Sequence, residues 1–289
     1  MPISGLTIIG ESINDSVPST KKLFDAENIE GILDLARSQD EKGAAYIDVN
    51  IGRRSPAFMA DMVRRIQSVT AKPLSIDTPD LEIAEAGLEA YDQAKSGGKP
   101  PILNSISPLR LEMFGLNKIR PFMPILMVSE RVENGESLAS RTGEETYRAA
   151  RQMLQAVQQL GYGIANDELI FDPGIAPIAS DSEGMLKRVL EGIRLIHADP
   201  DFAGAHISVG LSNFTVMLPS KRANGSPVKG AMESAFLTLA MPLGLDMIIG
   251  SMLRRYELLP GGHPALVCLQ DILRLEGFDT ILRVIEFYS

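Results

Sequence analysis

Ile207-Ser208-Val209-Gly210-Leu211-Ser212-Asn213 is an apolar run that ends in an asparagine. A short apolar run closed by a carboxylate or a carboxamide recurs at four other places: Tyr46-Ile47-Asp48-Val49-Asn50, Leu74-Ser75-Ile76-Asp77, Ile102-Leu103-Asn104 and Leu169-Ile170-Phe171-Asp172. Continuous apolar runs of this length predict strands that are buried on both faces. In a parallel barrel the carboxyl ends of all strands lie at one face, so we expect these polar groups to converge on one site.

Eight strand candidates alternate with helical segments along the chain. They are Leu6–Ile9, Tyr46–Val49, Leu74–Ile76, Ile102–Leu103, Ile125–Val128, Leu169–Phe171, Ile207–Leu211 and Leu245–Ile249. This alternation predicts a (β/α)8 TIM barrel, with residues 1–289 as one domain. A doubly wound open sheet is the main alternative, and the lack of a Gly-rich phosphate loop after the first strand weighs against it.

Two connections are long and polar. The segment from Ser129 to Gly143 has little strand character, and the segment from Phe214 to Lys229 is rich in Ser, Pro, Gly and basic residues. Connections of this length are uncommon in compact domains, so we expect functional or mobile loops at both places. Asn14 and Pro18 are expected to lie in another loop, after the first strand.

Composition excludes several classes of function. The chain has 289 residues, 45% of them hydrophobic, and a net charge of −9, which disfavours nucleic-acid binding. No apolar run reaches the roughly 20 residues of a membrane span. Cys268 is the only cysteine, and His197, His206 and His263 lack ligand spacing, so we expect neither disulfides nor a metal site. With no secretory signal visible, we expect a cytoplasmic protein.

The polar strand ends suggest the kind of ligand. Asp77, Asn104, Asp172 and Asn213 follow four of the predicted strands and combine two acidic acceptors with two amides. Such a set suits a flat heterocycle whose edge carries both hydrogen-bond donors and acceptors. Nucleophilic catalysis is poorly supported, because there is no Gly-x-Ser-x-Gly elbow and no lysine ends a strand.

The motifs at the ends of the predicted strands resemble those of a known family. Ile8-Ile9-Gly10-Glu11-Ser12-Ile13-Asn14 is similar to the opening of the methyltetrahydrofolate:corrinoid protein methyltransferases, of the pterin-binding barrel superfamily. The family's other strand-end motifs follow in the same order, as Asp48-Val49-Asn50-Ile51-Gly52, Ile76-Asp77-Thr78, Asn104-Ser105, Phe171-Asp172-Pro173 and Gly210-Leu211-Ser212-Asn213. The resemblance runs from about residue 6 to residue 250.

The resemblance implies an enzyme that binds a reduced folate by its pterin ring. Such an enzyme moves the N5-methyl group of the folate to the cobalt of a cobalamin held by a separate corrinoid protein, and it is usually a homodimer. Asp77, Asn104 and Asp172 would hold the pterin, and Asn213 would reach N5 as the catalytic residue. Further substrate contacts are expected from Glu11, Asn14, Asp48, Asn50 and Ser212, with Arg222 at the anionic tail.

Two other functions remain open from the sequence. A dihydropteroate synthase would need a basic clamp for pyrophosphate, typically a Ser-x-Arg element beyond the eighth strand and a lysine after the seventh. Gly250-Ser251-Met252-Leu253-Arg254 offers a serine and an arginine there, but their spacing is off by one. A folate-binding module without turnover would keep the same polar strand ends, and only an activity assay separates it from an enzyme.

Overall fold

The structure, a computed structural model, describes residues 3–289 and contains a closed barrel of eight parallel strands. These strands are β1 (Thr7–Asn14), β2 (Tyr46–Asn50), β3 (Leu74–Asp77), β4 (Ile102–Ile106), β5 (Met123–Met127), β8 (Ile170–Asp172), β9 (His206–Gly210) and β10 (Met247–Gly250). They pair in chain order, and β10 closes the barrel on β1 through Thr7 and Met247. All eight predicted strands are present, and the predicted (β/α)8 barrel is confirmed.

Helices surround the strands. They are α1 (Pro18–Asp25), α2 (Ile29–Glu41), α3 (Pro56–Ile66), α4 (Leu81–Ala90), α5 (Gly143–Leu160), α6 (Met185–Ala198), α7 (Leu211–Thr215), α8 (Lys229–Ala240), α9 (Pro264–Ile272) and α10 (Phe278–Tyr288). Capping residues in the local sequence explain where several of these helices begin. Ser55 and Asp80 accept hydrogen bonds from the third residue of α3 and α4, and Thr142 forms a capping box with Glu145 at α5.

The structure corrects two local expectations. The segment 129–143 is not a plain loop, because β6 (Glu130–Glu133) and β7 (Glu136–Ala139) form an antiparallel hairpin in it. All four β7 residues are exposed, so the hairpin has no apolar alternation from which to recognise it. The expected loop after β1 holds α1, which begins at Pro18 without a side-chain cap at Val17.

A small apolar cluster fills the lower barrel interior. It consists of Ile9, Ile102, Met123, Ile125, Ile170 and Met247. A larger cluster packs the outward faces of the strands against the helices and includes Leu103 and Phe171. Because side chains alternate along a strand, the residues two positions beyond the inner cluster also face inward, one layer closer to the carboxyl ends.

Candidate active site

Strand periodicity places the predicted polar residues in the upper layer of the barrel. Asn104 lies two residues after Ile102, and Asp172 two residues after Ile170. Asp48 stands in the same relation to Tyr46, which packs against the inner cluster. The alternation of side chains along each strand therefore directs its carboxylate or amide into the barrel, above the inner apolar cluster, and not outward to the helices.

These side chains line a cavity of about 800 Å³ at the carboxyl end of the barrel. Its volume lies in the usual range for small-molecule sites, roughly 300–1,000 Å³. Eight of the predicted residues line it: Glu11, Asn14, Asp48, Asp77, Asn104, Asp172, Ser212 and Asn213. We call Asp48, Asp77, Asn104 and Asp172 the floor of the cavity, and Asn213, Val216, Leu253 and Arg254 its rim.

Asp48 and Asp77 form a carboxyl pair on the floor. Asp48 accepts hydrogen bonds through Oδ1 from the Ser75 hydroxyl at 2.6 Å and the Asn104 amide at 3.3 Å. Its Oδ2 has no hydrogen-bond partner among the described residues, although Asp48 is only 1% exposed. Asp77 accepts from the Asn50 amide at 2.9 Å. Asn50 thus holds Asp77 in position through this hydrogen bond, and Asn50 itself does not line the cavity.

The Asp48–Asp77 pair holds a proton more firmly than free carboxyls do. Burial raises the pKa of Asp48 well above its ordinary value, and the neighbouring charge of Asp77 raises it further. Burial also raises the pKa of Asp77, while the Asn50 hydrogen bond lowers it. Two adjacent carboxyls without a nearby cation cannot both ionise cheaply. Asp48 is therefore the neutral member, able to donate as well as accept.

Asp172 is the third acid of the floor and has a different environment. Its Oδ1 accepts from the Gly174 backbone N–H at 2.7 Å, in the turn that follows β8. Burial raises the pKa of Asp172 to about 6, although the Gly174 hydrogen bond and the Arg188 charge both lower it. At neutral pH this carboxyl is mostly ionised, so it can accept two hydrogen bonds from a ligand.

Asn213 stands at the rim and not in a closed pocket. It lies in α7, the short helix that follows β9, and it is exposed. The chain alone therefore does not shield this amide from water. Next to it, the Ser212 hydroxyl donates to Glu11 at 2.8 Å, and burial raises the pKa of Glu11.

Two basic groups of the cavity are not among the predicted substrate contacts. Lys229 and Arg254 line it, and Arg254 Nε lies 3.2 Å from the buried carboxylate of Glu233. Thr215 also donates to Glu233, so the cavity has two basic groups beyond the expected set, and a buried acid stands behind one of them. The spacing Ser251 to Arg254 was visible in the sequence, but the position of Lys229 depends on how α8 packs.

Arg222 lies apart from the cavity, contrary to expectation. Its guanidinium stacks on the Phe287 ring of α10, 3.8 Å from the ring centroid. A cation over an aromatic face is held electrostatically, and here that contact draws the side chain to the outer helices. The anionic tail of a ligand would meet Lys229 and Arg254 first.

Metal-binding groups and membrane-spanning helices were also considered in the sequence, and the described residues show the following. Between residues 3 and 289, no group of three or more His, Cys, Asp or Glu side chains is arranged to hold a metal ion. Within the same range, none of the helices combines the length and the apolar character that crossing a membrane would require.

Comparisons with known proteins agree with the fold and identify the family. The profile of the family described as pterin binding enzyme matches residues 13–250. A methylcorrinoid:tetrahydrofolate methyltransferase of Eubacterium limosum is 28% identical over 260 residues, which cover 84% of this chain and 84% of the relative.

Solved structures of the same fold include two dihydropteroate synthases. The enzyme of Vibrio fischeri superposes with a TM-score of 0.56 at 16% identity, covering 86% of this chain and 88% of the other. That of Xanthomonas albilineans, in complex with 7,8-dihydropteroate, gives a TM-score of 0.51 at 16% identity, covering 95% and 96%. At such low identity these structures support the barrel fold alone.

Proposed function

This chain belongs to the family of pterin binding enzymes, and we propose that it is a methyltransferase that moves a methyl group between N5 of tetrahydrofolate and the cobalt of a corrinoid protein. The name of the Eubacterium limosum relative describes this reaction, and that relative covers most of the chain. The cobalamin is carried by the partner, so this chain acts on it as a substrate.

The floor of the cavity is the observation that carries the proposal. Asp48 Oδ2 is buried without a partner, and an ionised Asp172 faces the same space. Because Asp48 is the neutral acid, its Oδ2 can donate, and leaving such a buried donor or a charged acceptor unsatisfied costs roughly 1–3 kcal/mol, more when the group is charged. A pterin presents ring N–H and amino donors beside carbonyl and ring-nitrogen acceptors, so it would satisfy this set from one edge. The floor thereby fits the substrate that the family binds.

The chemistry needs a group that favours charge at N5. A tertiary amine is a poor leaving group, because N5 keeps the electron pair of the C–N bond that breaks, so N5 must take up a proton from solvent before or as the methyl group passes to Co(I). The Asn213 amide can accept a hydrogen bond from the protonated nitrogen, and such directed dipoles act most strongly where water is excluded. Because Asn213 is exposed at the rim, we assign the exclusion of water to the bound folate and the docked corrinoid protein.

We also propose a docking surface for the partner, an oligomeric state and a cellular location. Exposed apolar side chains at the rim, Val216 at 58% and Leu253 at 78%, offer the corrinoid protein a surface around the cavity mouth. The resemblance supports a homodimer, which sedimentation analysis of the purified chain can test. A cytoplasmic location is in keeping with the single buried cysteine, Cys268, which forms no disulfide.

The decisive experiment is spectral. The purified chain is mixed with methyltetrahydrofolate and cob(I)alamin, first free and then bound to a corrinoid protein, and the Co(I) absorbance is followed. We expect conversion to methyl-Co(III) that depends on the chain and is lost with Asp172→Ala. A chain that binds the folate tightly without conversion would be a binding module. Formation of dihydropteroate from a pterin pyrophosphate and 4-aminobenzoate would instead identify a synthase.

A further inference from the structure

Arg188 is a buried cation on the outer side of the cavity wall. It lies in the first turn of α6 and is only 5% exposed. A buried guanidinium is costly unless its N–H groups are paired. Arg188 donates from Nη1 to the Pro173 carbonyl at 2.7 Å and to the Thr146 hydroxyl at 3.1 Å, and from Nη2 to the Gly174 carbonyl at 2.6 Å.

The turn that Arg188 holds is the one that carries Asp172. The Pro173 carbonyl and the Gly174 N–H belong to one peptide group, and this group accepts from Arg188 on one side and donates to Asp172 Oδ1 on the other, at 2.7 Å. A chain of hydrogen bonds thus runs from the guanidinium through one peptide to the carboxylate. Each bond in such a chain polarises the next.

The turn cannot be held by its own backbone preferences. Gly174 has a positive φ of 63°, and a Cβ at this position would lie 2.7 Å from the Ser129 side chain. Only glycine fits there without strain, and glycine is also the least constrained residue in the chain. Besides the local hydrogen bond between the Gly174 N–H and Asp172 Oδ1, the turn is held from outside by the Arg188 guanidinium, on the carbonyls of residues 173 and 174.

We propose that Arg188 is a positioning residue for substrate binding: by clamping the Asp172-Pro173-Gly174 turn, it directs the Asp172 carboxylate into the cavity. The inference rests on the proposed function only in that Asp172 contacts the folate. The clamp itself is a property of the free protein and can be measured without any ligand.

The charges around Asp172 favour this role for Arg188. Arg188 is the one cation whose field acts on Asp172, and burial is the opposing influence on the pKa of Asp172. On the other side of the guanidinium, Asp181 of the loop before α6 also faces Arg188. The cavity also holds the acids Asp48, Asp77 and Glu11 and the cations Lys229 and Arg254, but Arg188 is the cation that lowers the pKa of Asp172. Without Arg188, only the Gly174 hydrogen bond would oppose the effect of desolvation on the pKa of Asp172.

The test measures the protonation of Asp172 directly. Aspartate labelled with ¹³C at Cγ is incorporated, the Asp172 signal is identified by its loss in Asp172→Asn, and the free protein is titrated by NMR. Arg188→Gln should raise the pKa of Asp172 by about one unit or more. Arg188→Lys keeps a charge but cannot span both carbonyls, so its shift should be smaller. Folate affinity of Arg188→Gln near pH 6.5 should fall about threefold or more, following the ionised fraction.

Two control variants separate this role from plain destabilisation. Thr146→Val removes an Arg188 contact that does not touch the turn, and Arg194→Gln removes an exposed arginine of the same helix. Neither should move the pKa of Asp172, even if thermal melting changes. An unchanged titration of Asp172 in folded Arg188→Gln and Arg188→Lys would overturn the inference. A chain that shows the shift but binds no folate would confirm the clamp and contradict the proposed function instead.

Discussion

The floor and the rim of the cavity differ in how completely the chain builds them. Asp48 and Asp172 on the floor are 1% and 5% exposed, and each accepts hydrogen bonds from fixed neighbours. Asn213 at the rim is exposed and stands beside Val216 and Leu253, which are also exposed. The floor is preorganised for recognition, whereas the rim gains a low-dielectric environment only when a partner covers it. In the proposed function, folate binding therefore needs only this chain, whereas methyl transfer needs the chain with the corrinoid protein docked over the rim.

The largest expected effect comes from the rim. Asn213→Ala should lower the methyl-transfer rate by roughly 100-fold or more with a corrinoid protein, because the amide acts on charge that develops at N5. Folate affinity should weaken about tenfold or less, since the floor holds the ring. Single-turnover rates and equilibrium dissociation constants on the same variant separate these effects.

The same variant tests whether the rim, unlike the floor, needs a partner to cover it. With free cobalamin the rim stays wetter, so the rate loss in Asn213→Ala should be smaller than with the corrinoid protein. Equal losses with both methyl acceptors would show that the rim needs no covering. Equal losses in rate and in affinity would make Asn213 a plain binding residue.

Within the floor, Asp48 and Asp172 should respond differently to the same change. Asp172→Asn replaces an ionised acceptor and should weaken folate binding by about tenfold or more, from roughly 1.5–3 kcal/mol per charged hydrogen bond. Asp48→Asn replaces a carboxyl that is already neutral and leaves a donor in place of its proton, so affinity should change by less than about threefold. Calorimetry at neutral pH gives both values. A larger loss in Asp48→Asn than in Asp172→Asn would reverse the assignment of the neutral and ionised acids.

The buried acids also predict an unusual dependence of stability on pH. Burial raises the pKa values of Asp48, Asp77 and Asp172, so the folded state binds more protons than the unfolded state. Their contribution to stability is therefore greatest below the unfolded pKa of about 4 and declines as pH rises through the folded values. For Asp172 this decline ends near its folded pKa of about 6.

Asp48→Asn tests this dependence because it removes one raised acid and keeps the shape. The decline in unfolding free energy, about 1.4 kcal/mol per proton for each pH unit, should be shallower in the variant. Urea denaturation of the ligand-free protein at several pH values above 4 measures the slopes, with the exposed Asp34→Asn as the control. Parallel slopes in the wild type and in Asp48→Asn would show that Asp48 ionises normally.

The floor could be predicted from the sequence and much of its surroundings could not. Each floor residue lies in a buried strand, at or near its carboxyl end, and the alternation of side chains fixes its direction, so the apolar runs alone predict Asp77, Asn104 and Asp172. Arg188 and Lys229 come from helices, and their approach to the site depends on packing between elements that no local pattern encodes. Arg222 was misplaced for the same reason, since its contact with Phe287 joins residues 65 positions apart.

Gly210 offers the smallest and most selective test of the rim. A Cβ at this position would lie 2.9 Å from the Asn213 side-chain nitrogen, so the glycine leaves room for the amide to fold back over β9. The backbone of Gly210 has a φ of −74°, which any residue adopts, and Gly210→Ala therefore changes only this contact. We expect the methyl-transfer rate to fall about threefold to tenfold, with folate affinity and stability nearly unchanged.

The matched control and a double variant decide whether Gly210 acts through Asn213. Gly261→Ala adds a methyl group into open space and should leave the rate unchanged. The double variant Gly210→Ala/Asn213→Ala should be no slower than Asn213→Ala alone, because residues that act through one group are not additive. Additive losses would mean that the methyl group disturbs something other than the amide. A wild-type rate in Gly210→Ala would mean that the direction of the Asn213 side chain in the free protein has no bearing on the reaction, and that the amide is oriented only once the substrates are bound.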